Sequence, residues 1–384
     1  MASETIPPSV APDATATRFA AARTVLQDAI AAHAFPGCAF GVVADGRVIL
    51  EEALGTFTYD EPSLPVTSHT LYDVASLTKV AATTAAAMLL YQRGLLDLDM
   101  PLGDLLPGFM VGRPTGTHAR RVMIRHLLAH TSGLPGYVEF FRTHATTAGV
   151  LRACLELPVL VPPGERAEYS DPGFILLGKA LEVIAREPLA AFLHREIYHP
   201  LGMHHTRFNP GMAQRLAIPP TEFDSIFRHR IVQGEVQDEN AWLLNGAAGH
   251  AGLFSNVHDL LRLAQTILVA SGHPAASGYP AASHPSIFEQ STIARFAEPQ
   301  PPTGSSRALG WDTPSSSPDQ PSSSGRHFSP RSIGHLGYSG CSLWIDLEAG
   351  VAAVLLTNRT WPDRKSQQIR DVRPAFHDAV RQAL

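Results

Sequence analysis

Between residues 17 and 33 the apolar positions Phe19, Ala20, Val25, Leu26 and Ile30 recur at helical spacing, which predicts an amphipathic first helix. The pattern then changes. Two short apolar runs, residues 38–43 and 48–53, flank Ala44-Asp45-Gly46-Arg47. An Asp-Gly pair between such runs predicts a tight β-hairpin, because the turn demands a positive φ that glycine tolerates. Residues 76–92 contain no Gly or Pro and are dense in Ala, Leu and Met, the composition of a buried helix. Helical patterns continue near 124–130, 147–155, 172–186, 189–197 and 259–269, separated by Pro-Gly loops.

From residue 271 to about 329 the chain turns to Pro, Ser, Ala and Gly, including SSSPDQPSSSG, and is expected to be a long surface excursion with too little apolar area for a core. Residues 342–346 and 351–357 then read as paired strands turning at Glu348-Ala349-Gly350, and residues 366–384 as a last helix. Strands at both chain ends with helices between them predict an α+β fold. It would be one antiparallel sheet flanked by the terminal helices, with a mainly helical subdomain inserted. The expected organisation is a flexible N-terminal arm over 1–15 and one domain over 16–384. Its sheet would come from about 35–56 and 332–358, and its helical subdomain from about 76–270. A cleft at the junction of sheet and helices is the default binding site.

Composition narrows the function classes. Lys plus Arg number 30 against 35 Asp plus Glu, giving a formal charge of -5, so no basic surplus points to nucleic acid or an anionic membrane. At 384 residues the chain is long enough to bury a large core without disulfides. The three cysteines, Cys38, Cys154 and Cys341, form no CxxC pair and read as buried hydrophobes. The first residues carry Glu4, no basic region and no apolar run, and no stretch reaches the ~18 to 20 apolar residues of a membrane span. A cytoplasmic location is the expectation. Nothing in the sequence indicates an oligomeric state. Eighteen histidines raise the question of metal binding or acid–base chemistry.

Three short motifs carry candidate chemistry. Ser76-Leu77-Thr78-Lys79 is an S-x-x-K at the start of the buried helix. Its spacing puts the ammonium near the hydroxyl, and free N–H groups at the helix start favour an oxyanion and a depressed lysine pKa. Tyr169-Ser170-Asp171 follows a Pro-Pro-Gly loop and precedes a helix, where the phenol can serve as general base or proton shuttle. Gly334-His335-Leu336-Gly337-Tyr338-Ser339-Gly340 lies directly before a strand, where glycines let a ligand approach the strand edge. Each also has a structural alternative: Ser76 as a helix cap with a solvated Lys79, Tyr169 as a packing ring beside a capping Asp171, and His335 as a hydrogen-bonded core imidazole.

In order and position the three motifs resemble those of the serine β-lactamases and penicillin-binding proteins, most closely the class C branch with its D-peptidases and β-lactamase-like esterases. Leu127-Leu128-Ala129-His130-Thr131-Ser132-Gly133-Leu134-Pro135, the stretch Gly246 to Ser255 and Pro200-Leu201-Gly202-Met203 add to the likeness, which spans about 35–357. The resemblance implies a β-lactamase/transpeptidase-like fold, Ser76 as acylated nucleophile, Lys79 as its activating partner, and Tyr169 as base and proton donor. It puts His335 in place of the K-T-G lysine, the N–H groups of Ser76 and Tyr338 in an oxyanion hole, Asp171 and Gly337 against substrate, and needs no cofactor and no metal.

Two positions depart from the β-lactamase form. Asp171 stands where Asn is usual, exchanging an amide for an ionised acceptor that attracts Lys79. His335 stands where Lys is usual, and an imidazole mostly neutral at pH 7 anchors a carboxylate poorly. Both disfavour penicillins and fit neutral esters or D-amino-acid amides, with Arg331 or Arg359 as further candidates for a carboxylate anchor. The expected function is a carboxylesterase-like serine hydrolase acting through a covalent acyl-enzyme on an ester or small amide, with a small-molecule ester, amide or peptide as the expected partner. The alternatives are a D-amino-acid peptidase, a DD-peptidase or weak β-lactamase, and a non-catalytic penicillin-binding or regulatory module. Other signals are weaker. Gly337-Tyr338-Ser339-Gly340-Cys341 ends on Cys and precedes a strand, against an α/β-hydrolase elbow. His199, His204 and His205 lack acidic partners at metal-site spacing. Gly178-Lys179 lacks the upstream glycine of a P-loop. His130 and His250 are expected to hydrogen-bond backbone.

Overall fold

The computed structural model describes residues 17–273, 286–315 and 322–384. The predicted N-terminal arm and part of the SSSPDQPSSSG run lie outside the described residues. A five-stranded antiparallel sheet is built from both ends of the chain: β1 (Gly37–Ala44), β2 (Arg47–Gly55), β3 (Ser332–Leu336), β4 (Ser342–Asp346) and β5 (Val351–Thr357), in the order β2-β1-β5-β4-β3. The predicted hairpin joins β1 to β2 with Asp45 at φ 50° and Gly46 at φ 70°, the left-handed pair that a two-residue turn requires. Helices α1 (Ala20–Ala31) and α7 (Ile369–Gln382) cover one face. The remaining longer helices are α2 (Ala85–Gln92), α3 (Thr147–Glu156), α4 (Asp171–Ala185), α5 (Val257–Ala270) and α6 (Gln290–Ala297).

The period-two pattern explains why the central strands are apolar throughout. Along β1, Cys38, Phe40, Val42 and Ala44 enter the cluster beneath α1 and α7, while Ala39 and Val43 enter the larger cluster with α2, α4 and α5. Both faces of β1 are covered, so its residues are apolar whichever way they point. Gly41 faces α5, where a Cβ would lie 2.6 Å from a Leu261 methyl, so the missing side chain sets how closely helix and sheet approach.

Two segments differ from the pattern-based expectation. Residues 75–92 are not one α-helix: a 3₁₀ turn over Ala75–Leu77 leads into a π-helical stretch over Lys79–Thr84 before α2 begins. Propensity does not register such a change of pitch, because it arises from packing of the buried side chains. The segment read as a surface excursion contains α6, whose Thr292, Ile293 and Phe296 are buried, and Ala308, Leu309 and Trp311 are buried beyond it. Average composition over that segment concealed a short amphipathic helix.

Candidate active site

The site is assembled at the junction of the sheet's β3 edge and the helical region. Ala75 adopts φ 48°, a costly left-handed conformation for a residue with a Cβ, and thereby turns the chain from Asp73 into Ser76. The buried Asp73 carboxylate holds this turn. Its Oδ1 accepts from Ala75 N–H at 2.8 Å and its Oδ2 from Gln237 N–H at 2.7 Å, while its main-chain oxygen accepts from Ser339 Oγ at 2.7 Å. One residue thus ties the Ser76 turn to two loops that wall the cleft. Burial pushes the Asp73 carboxyl up to about 6 against those two N–H bonds.

Lys79 is fully buried, and its Nζ lies 3.0 Å from Ser76 Oγ, 3.0 Å from His250 O and 2.7 Å from Asp171 Oδ1. It also sits 4.8 Å above the Tyr169 ring. Burial alone pushes an ammonium down, but Asp171 and Tyr169 outweigh it and hold Lys79 above its ordinary value. The depressed lysine expected from a helix start is therefore corrected: the adjoining carboxylate dominates, and the segment is 3₁₀ and π rather than α at this point. Burial raises the Tyr169 phenol, although the neighbouring Lys79 ammonium opposes the shift.

Tyr169 is positioned from behind. His130 Nδ1 accepts from Ser170 N–H at 2.9 Å, its carbonyl accepts from Glu168 N–H at 2.8 Å, and its ring packs 4.6 Å from that of Tyr169. The bond to backbone is as the sequence suggested. Burial holds His130 well below the usual imidazole range, so it remains a neutral acceptor here. Ser170, not Asp171, caps α4, accepting from Gly173 N–H at 3.1 Å. That leaves the Asp171 carboxylate free to meet Lys79.

Across the cleft, His335 is buried on β3, and its Nδ1–H donates to Leu336 O at 2.8 Å. Its Nε2 has no partner among the described residues, and the cleft it lines also includes Ser76, Tyr169, Asp171, Gly337 and Tyr338, all residues singled out from sequence. Burial pushes the imidazole down to about 4. Gly337 has a role beyond admitting a ligand: a Cβ there would stand 2.5 Å from Val74 O, so its absence lets β3 close onto the Ser76 turn. Arg359 lines the cleft, but its guanidinium donates to Tyr338 O at 2.8 Å and Ser366 O at 2.9 Å. Arg331 is exposed and does not line it.

Several lining residues escaped the sequence reading. Arg307 and Asp312 form an ion pair beside Tyr169, with the Arg307 guanidinium 5.3 Å from its ring, and both come from the segment taken for a surface loop. Tyr137, Gln237 and Asp238 also line the cleft, whose volume is about 780 Å³. For these the sequence holds no signal beyond an Asp before a short helix. Glu222, Asp224 and Glu239 bring carboxylates within 4.8 Å of one another. Arg364 pairs with Glu222 and Glu239, and Arg228 with Asp224, so guanidinium groups already neutralise the cluster.

A sequence model of the family described as Beta-lactamase matches residues 22–374. The chain belongs to the β-lactamase family. A protein of Salmonella typhimurium provisionally named a D-alanyl-D-alanine carboxypeptidase is 30% identical over 359 residues, spanning 85% of this chain and 79% of that one. Among solved structures, EstCE1, described as a hydrolase with promiscuous acyltransferase activity, superposes with a TM-score of 0.72 at 22% identity, covering 94% of this chain and 99% of its own. A class C β-lactamase from Rhodobacter sphaeroides gives 0.68 at 18%, covering 94% and 99%. The α+β β-lactamase/transpeptidase fold expected from the motifs is the fold observed, and the protein is a serine hydrolase of this family. Among the described residues no helix is long and apolar enough to cross a membrane.

Proposed function

We propose that the protein hydrolyses a small ester or amide through an acyl-enzyme on Ser76. The observation that carries this reading is the 3.0 Å approach of Lys79 Nζ to Ser76 Oγ, with the Tyr169 ring 4.8 Å from the same Nζ in one cleft. In the first half-reaction Ser76 Oγ bonds to the substrate carbonyl carbon while its proton passes to the Tyr169–Lys79 pair. The N–H groups of Ser76 and Tyr338 receive the oxyanion. The bond to the leaving group then breaks as that group takes the proton. Water repeats the sequence to release the acid and restore Ser76.

The substrate class follows from the cleft's charges. His335 is neutral at pH 7, and the Arg359 guanidinium is occupied by carbonyls, so the groups considered for anchoring a carboxylate are weak anchors. This favours esters and amides without a carboxylate beside the scissile bond. Likeness to the Salmonella protein supports a second reading, peptidase action on D-amino-acid substrates.

The test is a burst of p-nitrophenol from p-nitrophenyl butyrate, with mass spectrometry showing a butyryl adduct on Ser76. Ser76→Ala is expected to lose both. Equal turnover in that variant overturns the reading, and a permanent adduct without turnover supports a binding module. Turnover of D-alanyl-D-alanine peptides in preference to esters selects the peptidase.

A further inference from the structure

The proposed reaction leaves one carboxylate–imidazole pair in the cleft without a task. Lys79 is matched by Asp171, Arg307 by Asp312, and Arg364 by Glu222 and Glu239. Arg359 and Arg373 donate to main-chain carbonyls. Asp238 lines the same cleft and has no Lys or Arg partner among the described residues. Its Oδ1 accepts from Ala241 N–H at 2.7 Å and lies 2.9 Å from His250 Nε2. A carboxylate only accepts, so Nε2 carries a proton, and in the neutral imidazole Nδ1 then keeps its lone pair.

Two acceptors are therefore left open. Asp238 Oδ2 receives no hydrogen bond from the described residues, and that side chain is 22% exposed. His250 is 1% exposed and lines the cleft, yet its Nδ1 is buried with no partner among the described residues. A buried acceptor without a donor is costly, and the cost is removed if a ligand supplies the donor. The pair is also held in place. Asp238 caps the helix Glu239–Leu243, and the His250 carbonyl accepts from Lys79 Nζ, the atom that touches Ser76 Oγ. Burial pushes Asp238 up, but His250 and the capping bond outweigh it and bring it down to about 2, so it is ionised throughout the neutral range.

We infer that Asp238 and His250 form a subsite for a primary ammonium group of the substrate, carried close to the scissile ester or amide and donating to Asp238 Oδ2 and His250 Nδ1. The inference rests on Ser76 as nucleophile and specifies which uncharged-carboxyl substrates the cleft prefers: amino esters and aminoacyl amides over their isosteres without nitrogen. Arg370 also lines the cleft and has the wrong sign for this group, but it is exposed, where water screens its charge.

The experiment measures kcat/KM for matched pairs. On the acyl side, alanine p-nitroanilide of each hand is compared with isobutyric p-nitroanilide. On the leaving side, 2-aminoethyl butyrate is compared with propyl butyrate. The ammonium member is expected to be favoured about tenfold at one end, the worth of one charge-assisted hydrogen bond. Asp238→Asn and Asp238→Ser both keep a helix-capping side chain, and either is expected to abolish the ratio whatever its effect on absolute rate. In parallel, butylammonium and butanol are titrated by calorimetry against wild type and Asp238→Asn. Butylammonium is expected to bind the wild type at least tenfold tighter than butanol does, and not the variant. No preference at either end with p-nitrophenyl butyrate still turned over through Ser76 overturns the subsite and leaves the hydrolase reading standing. If Ser76-dependent turnover is absent, calorimetry decides the subsite alone, and equal binding of the two probes overturns it.

Discussion

Lys79 Nζ lies 2.7 Å from Asp171 Oδ1 in a pair whose side chains are 0% and 16% exposed. A lysine so placed is held charged by its neighbour, and proton transfer from Ser76 must overcome that bias. Acylation is thus expected to rise toward alkaline pH. Asp171→Asn removes the carboxylate and leaves burial dominant, so the lysine pKa falls and proton-accepting enzyme is populated at lower pH. The ascending limb of kcat/KM for p-nitrophenyl butyrate is expected to move about one unit or more toward acid. An unmoved limb, or one displaced toward alkali, contradicts the assignment. Stability should drop by roughly 3 kcal/mol, as when one partner of a buried pair is removed.

Asp73 gives a stability prediction with a sign. Its two oxygens each accept a main-chain N–H, and an amide offers one acceptor and one donor, so Asp73→Asn sets a donor against a donor. The cost is expected at about 1–3 kcal/mol, read as a lower urea midpoint at unchanged slope. Because the folded carboxyl titrates at about 6, above its ordinary value, its protonation stabilises the native state fully below about pH 4 and fades as pH rises through 6. The wild-type advantage over the variant should therefore be larger at pH 4 than at pH 7. A gap that widens with pH counts against this account.

Gly337 sits where β3 meets the Ser76 turn, and its neighbour there is rigid backbone. Gly337→Ala must displace either β3 or Val74. A displacement of even part of an ångström between the two proposed oxyanion donors is expected to lower kcat about 10- to 100-fold, while the chain stays folded by circular dichroism. Wild-type kcat in the variant means the donors lie elsewhere.

His335 is neutral because it is buried, with Asp312 the main influence in the opposite direction. His335→Lys installs a cation facing that carboxylate. Nitrocefin turnover is expected to rise at least tenfold over wild type while the melting temperature falls, since a charge has been placed in a buried position. Unchanged nitrocefin turnover, with ester hydrolysis retained, rules out residue 335 as the determinant against anionic substrates.

Much of the site was readable from short spacings. Ser76 and Lys79 are three residues apart, and any turn of 3₁₀, α or π pitch brings them near each other, so the contact survives a wrong guess about helix type. His335 on a strand and Gly337 just past its end, before a tight turn, were readable for the same reason. Arg307, Asp312 and Asp238 were not, because the first two reach the cleft from one loop and the third from another through long-range packing, and no local pattern distinguishes such a residue from a solvated one.

The sequence by itself determined the α+β layering, the hairpin at Asp45-Gly46 and the ordered motifs of the β-lactamase family, because periodicity, turn stereochemistry and fixed spacing are local properties of the chain. Tertiary structure alone decided that Lys79 is held charged, that burial pushes His335 down to about 4, and that Asp238 Oδ2 and His250 Nδ1 are left open. Those depend on which groups are brought together and how completely water is excluded, and they arise only when residues 79, 171, 238, 250 and 335 meet around one cleft.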